Sequence, residues 1–287
     1  MLGFIGGTGL YDLPGLRNVR HERVPSPFGR PSDDVLLGEL DGQPLAFLPR
    51  HGRGHVVPPH LINYRANIDV FKRLGVTDVV SLSAVGSLRE DLPPGTFVLV
   101  DQFVDRTRAR VSSFFGEGLV AHVGMAEPVC ARLGDALEEA AAVSGAPPRR
   151  GGSYIVIDGP QFSTRAESRI YRQWGCDVIG MTNMPEARLA REAELCYATV
   201  AMVTDWDCWH PDHGSVTIPE ILAVLAANGD RARDLARRVA PFLAEHPECP
   251  HGCDHALDSA ILTAPGARDP EMVTKLDAVA GRVLLHD

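Results

Sequence analysis

Apolar and polar positions follow two alternating patterns along the chain. Continuous apolar runs such as "LGFIGG", "VTDVVSLSAVGS" and "CYATVAMVT" are typical of buried strands, whereas Leu61, Tyr64, Ile68 and Phe71 recur at helical spacing. Strands that alternate with helices form a sheet covered by those helices. The pattern therefore predicts an α/β fold, a single domain in which helices flank a central mixed β-sheet.

Local signals predict further elements. Asp41-Gly42, between two apolar runs, predicts a β-hairpin. Asn183, followed by Pro185 and Glu186, predicts a helix start with an N-cap and a capping glutamate. Single strands are also predicted in "GTFVLVDQFVD", "SYIVIDGP" and "DVIGMTN", and helices in "TRAESRIYRQW", around 129–140 and from about 217 to 244.

The C-terminal tail has a composition of its own. After a long helical pattern, "EHPECPHGCDHALDSAILTAPGARDP" is rich in proline, glycine and histidine. This shift predicts a main domain over 1–245 and a C-terminal extension over 246–287. We expect the extension to pack on the core or on a neighbouring subunit.

Four residues of the tail invite a metal interpretation. Cys249, His251, Cys253 and His255 alternate at a spacing of two. Structural zinc sites usually join two separated ligand pairs, and this is one compact run. Capping and packing roles are therefore favoured, and no metal is predicted.

Composition excludes several classes of function. The 287 residues carry a formal net charge of -9 with a pI near 5.6, which argues against a general nucleic-acid binder. No apolar stretch approaches the roughly 20 residues that cross a bilayer, so no membrane partner is expected. The N-terminus lacks the pattern of a signal peptide, which predicts a cytoplasmic protein whose six cysteines are reduced core thiols.

Small, hydroxyl and cationic residues follow four predicted strands. They are Thr8 in "GGTGLYD", Arg50 and His51 in "PRHGRGH", Ser83 and Ala84 in "SAVGS", and Thr182 in "GMTNMP". Ligands of open α/β sheets bind outside the carboxyl ends of strands, so together these groups predict an anion pocket. Singly, each is compatible with a tight turn or a solvated loop. Asp12 occupies the third glycine position of G-x-G-x-x-G, which disfavours a dinucleotide-binding oxidoreductase.

A pair of aspartates follows the strand "CYATVAMVT". Asp205 and Asp207 are two residues apart, so on a strand both would face the same ligand while Trp206 faces away. Burial and mutual repulsion should raise the pKa of one of them. A protonated carboxyl beside an ionised one can donate to N7 of a purine and accept from its N6 amino group. A metal pair or a solvated loop remains an alternative.

The motifs also carry a family resemblance. "IGGTGLYD", "RHGRGH", "NYRAN", "GSLRED", "DQFVDRT", "GPQFSTRAES", "MTNMPEARLAREAELCYA" and "MVTDWDCW" occur in the order and spacing of the trimeric purine nucleoside phosphorylases. The chain resembles this family over about residues 2 to 245, and within it the branch that acts on 5'-methylthioadenosine. The resemblance implies a pentosyltransferase of purine and methionine salvage that uses phosphate to release adenine and form 5-methylthioribose 1-phosphate. It implies a homotrimer and neither a metal nor an organic cofactor.

The resemblance also assigns roles to individual residues. Asp205 and Asp207 would bind N7 and N6 and assist departure of the base, and Ser163 and Ile218 would influence specificity. The phosphate ligands would be Thr8, Arg50, His51, Ser83, Ala84 and Thr182. The remaining substrate contacts would be Phe162 on the base, Met181 on the ribose, Ile218, Ile221 and Leu222 around the methylthio group, and His122 from the adjacent subunit.

One position departs from this pattern. Gly180 stands where the methylthioadenosine enzymes commonly have asparagine, and relatives that act on 6-oxopurines have glycine there. Those relatives usually carry an asparagine in place of the aspartate pair, so the sequence favours adenine. A 6-oxopurine or broad-specificity phosphorylase and a non-catalytic nucleoside-binding protein stay open as alternatives.

Overall fold

A computed structural model describes residues 1–7, 15–143, 147–211, 218–245 and 248–285. Within these ranges the chain forms one mixed β-sheet with helices packed on its faces, which confirms the predicted fold class. The strands are β1 (Leu2–Gly6), β2 (Arg17–Glu22), β3 (Val35–Leu40), β4 (Gln43–Pro49), β5 (Asp78–Ser87), β6 (Phe97–Val100), β7 (Gln102–Asp105), β8 (Arg149–Arg150), β9 (Ser153–Val156), β10 (Val178–Gly180) and β11 (Cys196–Asp205). The helices are α1 (Tyr64–Arg73), α2 (Ala131–Val143), α3 (Arg165–Gln173), α4 (Asn183–Glu192), α5 (Ile218–Glu245), α6 (Pro270–Lys275) and α7 (Asp277–Leu284).

The sheet branches at β5, its central strand. The order β2-β3-β4-β1-β5-β10-β9-β7 forms one path, and β11 pairs in parallel with β5 and antiparallel with β6. β1 ends at Gly6 opposite Leu82, and β10 joins β5 only from Gly86 onward. On this side of β5, residues 83–85 lie between the end of β1 and the start of β10 and pair with none of the described strands. This gap opens into the site described below.

Most predicted elements are present with shifted ends, and one predicted strand is divided in two. The hairpin at Asp41-Gly42 joins β3 to β4 as predicted. "GTFVLVDQFVD" is two strands rather than one, because β6 pairs with β11 whereas β7 pairs with β9. β2 was not predicted, since its side chains are mostly exposed and polar and give no apolar alternation.

The tail packs on the rest of the chain. Leu257, Leu276 and Val279 belong to the same buried cluster as residues of α1 and β5. Arg282 forms ion pairs with Glu194 and Asp258. Residues 248–285 therefore contribute to the core. Within the described part of the chain, none of the helices combines the length and the apolar character that a membrane crossing requires.

Candidate active site

A cavity of about 750 Å³ opens where β1, β4, β5 and β11 end. Its polar wall comes from the ends of β4, β5 and β11, and its apolar wall from the first turns of α5. Among the predicted site residues it is lined by Arg50, His51, Ser83, Ala84, Phe162, Ser163, Met181, Thr182, Asp205, Asp207, Ile218, Ile221 and Leu222. Residues far apart in the sequence thus meet at the carboxyl ends of strands, where α/β sheets bind their ligands.

Two predicted ligands are not among the described residues that line this cavity. Thr8 is outside the described residues. His122 is exposed and its backbone N–H donates to the carbonyl of Ala260 at 2.8 Å. It does not line the cavity of its own chain.

One end of the cavity carries a cluster of hydroxyl groups. Ser83 Oγ lies 3.3 Å from Thr182 Oγ1 and 3.0 Å from the hydroxyl of Tyr154. Thr182 immediately precedes α4, its side chain makes no capping hydrogen bond, and it lines the cavity beside Ser83. These groups suit an oxyanion such as phosphate.

Arg50 is completely buried behind this cluster. Its Nε and Nη2 donate to both carboxylate oxygens of Glu186, at 2.8 and 3.0 Å, and Nη1 donates to the carbonyl of Leu82 at 3.0 Å. Burial opposes the positive charge, but the Glu186 carboxylate outweighs this and raises the pKa of Arg50. Since Nη1 has a second N–H without an acceptor among the described residues, Arg50 can offer one charge-assisted hydrogen bond to an anion in the cavity.

Glu186 therefore does not act as the predicted capping residue. Its carboxylate also accepts from the hydroxyl of Tyr197 at 2.9 Å, so it belongs to a buried network rather than to the first turn of α4. Sequence reasoning missed this role because Arg50 is 136 residues away along the chain.

His51 has a defined tautomer. Its Nδ1 lies 2.9 Å from the carbonyl oxygen of Val57, which can only accept, so Nδ1 carries the proton. Burial lowers the pKa of His51 to about 4, and the ring is neutral near pH 7. Neutral Nε2 is an acceptor, suited to the O–H of a phosphate monoanion or of a ribose. It can donate to a phosphate oxygen only after protonation.

The aspartates meet through a turn rather than through strand alternation. β11 ends at Asp205, and Asp207 adopts a left-handed φ of 51°. The backbone N–H of Asp207 donates to Asp205 Oδ1 at 2.8 Å, and the Thr204 hydroxyl donates to Oδ2 at 2.7 Å. A Cβ on Gly86 would lie 2.9 Å from Asp205 Oδ1, so glycine there allows the carboxylate to lie close to β5.

Both aspartates have raised pKa values. Burial is the main cause for each of them. For Asp207, the neighbouring charge of Asp205 adds to burial and the pKa reaches about 6. The rise predicted from the sequence is thus confirmed, with burial outweighing repulsion. A carboxyl with such a pKa can hold a proton for a ligand near neutral pH.

The opposite wall is apolar. Ile218, Ile221 and Leu222 project from the first turns of α5, and Phe162 and Met181 come from the loops after β9 and β10. Ile218 and Leu222 are 56% and 46% exposed although both line the cavity. Apolar side chains that line an open cavity favour an apolar ligand group, whose binding would remove them from water.

Tyr154 explains the unusual Gly180. A Cβ at position 180 would lie 2.0 Å from the Tyr154 hydroxyl oxygen, so any larger residue would displace this ring. Tyr154 is fully buried behind the cavity wall, and its hydroxyl bonds Ser83, which lines the cavity. Glycine at 180 is therefore coupled to the hydroxyl cluster and carries no evidence for a 6-oxopurine. Sequence reasoning missed Tyr154 because the residue reads as strand core.

Arg110 is a second residue that sequence reasoning missed. Its Nη1 donates to the carbonyls of Met181 and Met184, at 2.7 and 2.6 Å, and its Nη2 donates to the carbonyl of Asp158 at 2.8 Å. The guanidinium thereby ties the loop after β9 to the loop after β10. The only signal in the sequence was the cationic run "RTRAR", which gives no partner.

The fold and the cavity define an α/β enzyme with an anion cluster, a carboxyl pair and an apolar wall around one ligand space. A family model described as the phosphorylase superfamily matches residues 2–241. The chain belongs to this family.

Similar proteins and solved structures support this family assignment. Relatives in Cereibacter sphaeroides and Bradyrhizobium diazoefficiens, both named S-methyl-5'-thioadenosine phosphorylase, are 60% and 61% identical over 285 residues, which is 99% of this chain and 98% of each relative. A crystal structure of a methylthioadenosine phosphorylase sourced from an antarctic soil metagenomic library has a TM-score of 0.91 at 47% identity and covers 97% of this chain and 98% of its own. Methylthioadenosine phosphorylase from Schistosoma mansoni in complex with adenine has a TM-score of 0.79 at 37% identity, over 85% of this chain and 92% of its own.

Proposed function

We propose that the protein catalyses the phosphorolysis of S-methyl-5'-thioadenosine to adenine and 5-methylthioribose 1-phosphate. The observation that carries this is the placement of three kinds of group around one cavity. An anion cluster at Ser83 and Thr182, a carboxyl pair with raised pKa values, and the apolar face of α5 match a phosphate, a 6-aminopurine and a methylthio group. The names of the relatives support the same substrate.

The mechanism follows from this arrangement. Phosphate is held by hydroxyl groups and by Arg50 on one side of the ribosyl C1', and the base lies against Asp205 and Asp207. As the C1'–N9 bond breaks, positive charge develops on the sugar, where the phosphate stabilises it and is positioned to form the new C1'–O bond. A protonated Asp205 donates its proton to N7, so that adenine leaves as a neutral base. Inorganic phosphate is the co-substrate, and the chemistry uses neither a metal nor an organic cofactor.

The apolar face of α5 gives selectivity for the methylthio group. Ile218 is expected to be essential for the preference over adenosine, because a 5'-hydroxyl gains nothing from an apolar wall. Ile218→Ser should lower kcat/KM for the methylthio substrate by about tenfold or more, with a smaller effect on adenosine. Ile170→Ser is the matched control, since Ile170 is an exposed isoleucine of α3 outside the cavity. An unchanged ratio between the two substrates would disprove this role.

The hydroxyl of Tyr154 is expected to support phosphate binding. Tyr154→Phe removes a partner of Ser83 without changing the ring, which costs about 0.5–1.5 kcal/mol, or roughly two- to tenfold in KM for phosphate. KM for the nucleoside should change little. Tyr171→Phe, at a buried tyrosine outside the cavity, controls for a general effect of losing a hydroxyl. Equal effects of both variants would show that Tyr154 has no special connection to phosphate.

His122 supports a trimer as the working form. In the resemblance this residue completes the site of an adjacent subunit, and its exposed position on this chain is compatible with that role. Light scattering of the purified protein should give three times the mass of one chain. A monomer with full activity would exclude a contribution from His122.

Adenine release tests the proposed reaction directly. The purified protein is incubated with S-methyl-5'-thioadenosine, adenosine or inosine, with and without phosphate, and the free base is measured by chromatography. We expect phosphate-dependent adenine release that is fastest from the methylthio substrate. Release without phosphate would make the enzyme a hydrolase, and hypoxanthine release from inosine alone would overturn the assignment of the aspartate pair.

A further inference from the structure

Four cysteines from three separate segments converge at the end of the sheet opposite the cavity. Cys130 immediately precedes α2, Cys196 opens β11, and Cys249 and Cys253 belong to the tail. Their four sulfur atoms all lie within 4.8 Å of one another. The compact run in the tail offered only one ligand pair in the sequence, and the fold supplies a second pair from Cys130 and Cys196.

The spacing of the sulfurs suits one tetrahedral ion. Cys130 Sγ and Cys249 Sγ are 3.7 Å apart, and all four residues are free cysteines. Four sulfurs around a zinc ion at about 2.3 Å lie roughly 3.8 Å from one another, whereas a disulfide bond is about 2.0 Å long. Clusters with several iron atoms hold their cysteines further apart, because the ligands bind different metal atoms.

The surroundings can compensate the negative charge of thiolates. Arg191 Nη1 donates to Cys253 Sγ at 3.5 Å, and the Arg132 guanidinium bonds the sulfur of Cys196. Such cationic and hydrogen-bonding partners are what metal-bound thiolates require around them.

The histidines of the run take no part in this cluster. His255 Nδ1 lies 3.4 Å from a carboxylate oxygen of Asp258, and His251 is exposed. Gly252, with a φ of 66°, turns the chain between the two tail cysteines so that both reach the sheet. Zinc held by four cysteines is common in structural sites, where no position is left open for a substrate.

We propose that Cys130, Cys196, Cys249 and Cys253 bind one zinc ion as a structural site. The ion joins the start of α2, the start of β11 and the C-terminal tail. Asp205 is at the other end of β11, about 30 Å along the strand at about 3.3 Å per residue. The site therefore fastens the tail to the sheet and does not depend on the proposed function of the cavity. Because the thiols lose their protons on binding, zinc occupancy should fall at acid pH.

Metal analysis of the whole protein tests this proposal. The wild-type chain is produced with zinc in the medium and purified under reducing conditions without chelator. Its metal content is then measured by inductively coupled plasma mass spectrometry. We expect about one zinc per chain in the wild type and in Cys176→Ser, and less than about a tenth of that in Cys253→Ser. Cys176 is the control because it is a buried free cysteine outside the cluster.

A second measurement avoids dependence on the stability of the variant. Zinc is released from the wild type with a mercurial reagent, which is then removed, and Co²⁺ is added. A tetrahedral tetrathiolate site gives intense visible bands and a thiolate-to-cobalt charge-transfer band. The proposal would be overturned if the zinc-free wild type, with all four thiols of the cluster reduced, bound no Co²⁺. So would iron in place of zinc, or a mass two hydrogens lower for each disulfide formed among these cysteines.

Discussion

Replacing Asp205 by asparagine is expected to lower kcat by about 10²–10⁴-fold, the usual contribution of a general acid. Asparagine can keep the hydrogen bonds to Thr204 and to the backbone of Asp207, so the site keeps its shape, but it cannot transfer a proton to N7. KM should change much less than kcat. Asp135→Asn, at an exposed aspartate of α2, is the control.

The pH dependence of the same variant gives an independent test. Burial raises the pKa of Asp205, so this carboxyl keeps its proton to a higher pH than an exposed aspartate does. Since the acid works only when protonated, wild-type kcat/KM should fall as the pH rises through this raised pKa. The residual activity of Asp205→Asn should lack this decline. Near-normal turnover, or an unchanged alkaline decline in the variant, would exclude Asp205 as the proton donor.

Asp207→Asn should separate catalysis from stability. The pKa of Asp207 is raised from 3.8 to about 6 in the folded protein. The contribution of the protonated carboxyl to the stability of the folded state is therefore fully present below pH 3.8 and is lost as the pH rises through 6. A shift of this size costs about 3 kcal/mol at pH 8. The neutral asparagine avoids this cost, so the variant should unfold at a higher temperature than the wild type at pH 8 while its kcat/KM falls. A variant less stable than the wild type would contradict the assigned pKa.

The sequence was sufficient where the signal was local. Asp41-Gly42 predicts a hairpin because the turn itself needs those residues, and continuous apolar runs predict β5 and β11. β2 escaped prediction because an exposed edge strand carries no apolar pattern. The division of "GTFVLVDQFVD" into β6 and β7 depends on which strands each half pairs with, and pairing partners are set by the tertiary structure.

The candidate site shows the same division. The predicted ends of the strands indicated where the anion-binding groups would meet, because parallel strands end at one edge of a sheet. Asp205 and Asp207 meet in the cavity, but through a left-handed turn that no strand rule anticipates. Glu186 fitted a local capping pattern, and its actual partner is Arg50. Contacts between distant residues, such as Tyr154 with Ser83 or Cys130 with Cys249, leave no trace in the spacing of a single sequence.

Glu186→Gln is expected to be the most destabilising conservative substitution around the cavity. Glu186 and Arg50 are both fully buried, and Gln leaves the guanidinium without its carboxylate. Breaking a buried ion pair by neutralising one partner costs about 3–5 kcal/mol of unfolding free energy. Asp277→Asn breaks the exposed pair between Arg73 and Asp277 and should cost less than about 1 kcal/mol. Denaturant unfolding of both variants measures the difference.

Phosphate should restore much of the stability that Glu186→Gln loses. In the wild type the Glu186 carboxylate neutralises Arg50 and would repel a bound phosphate, whereas in the variant phosphate would supply the missing negative charge. A ligand that binds only the folded state stabilises it in proportion to its affinity, so phosphate should raise the melting temperature of the variant more than that of the wild type. The Asp277→Asn control should respond to phosphate as the wild type does. An equal phosphate response in all three proteins would mean that Arg50 lies too far from the anion to bind it, and the phosphate site would then depend on the Ser83 and Thr182 hydroxyls alone.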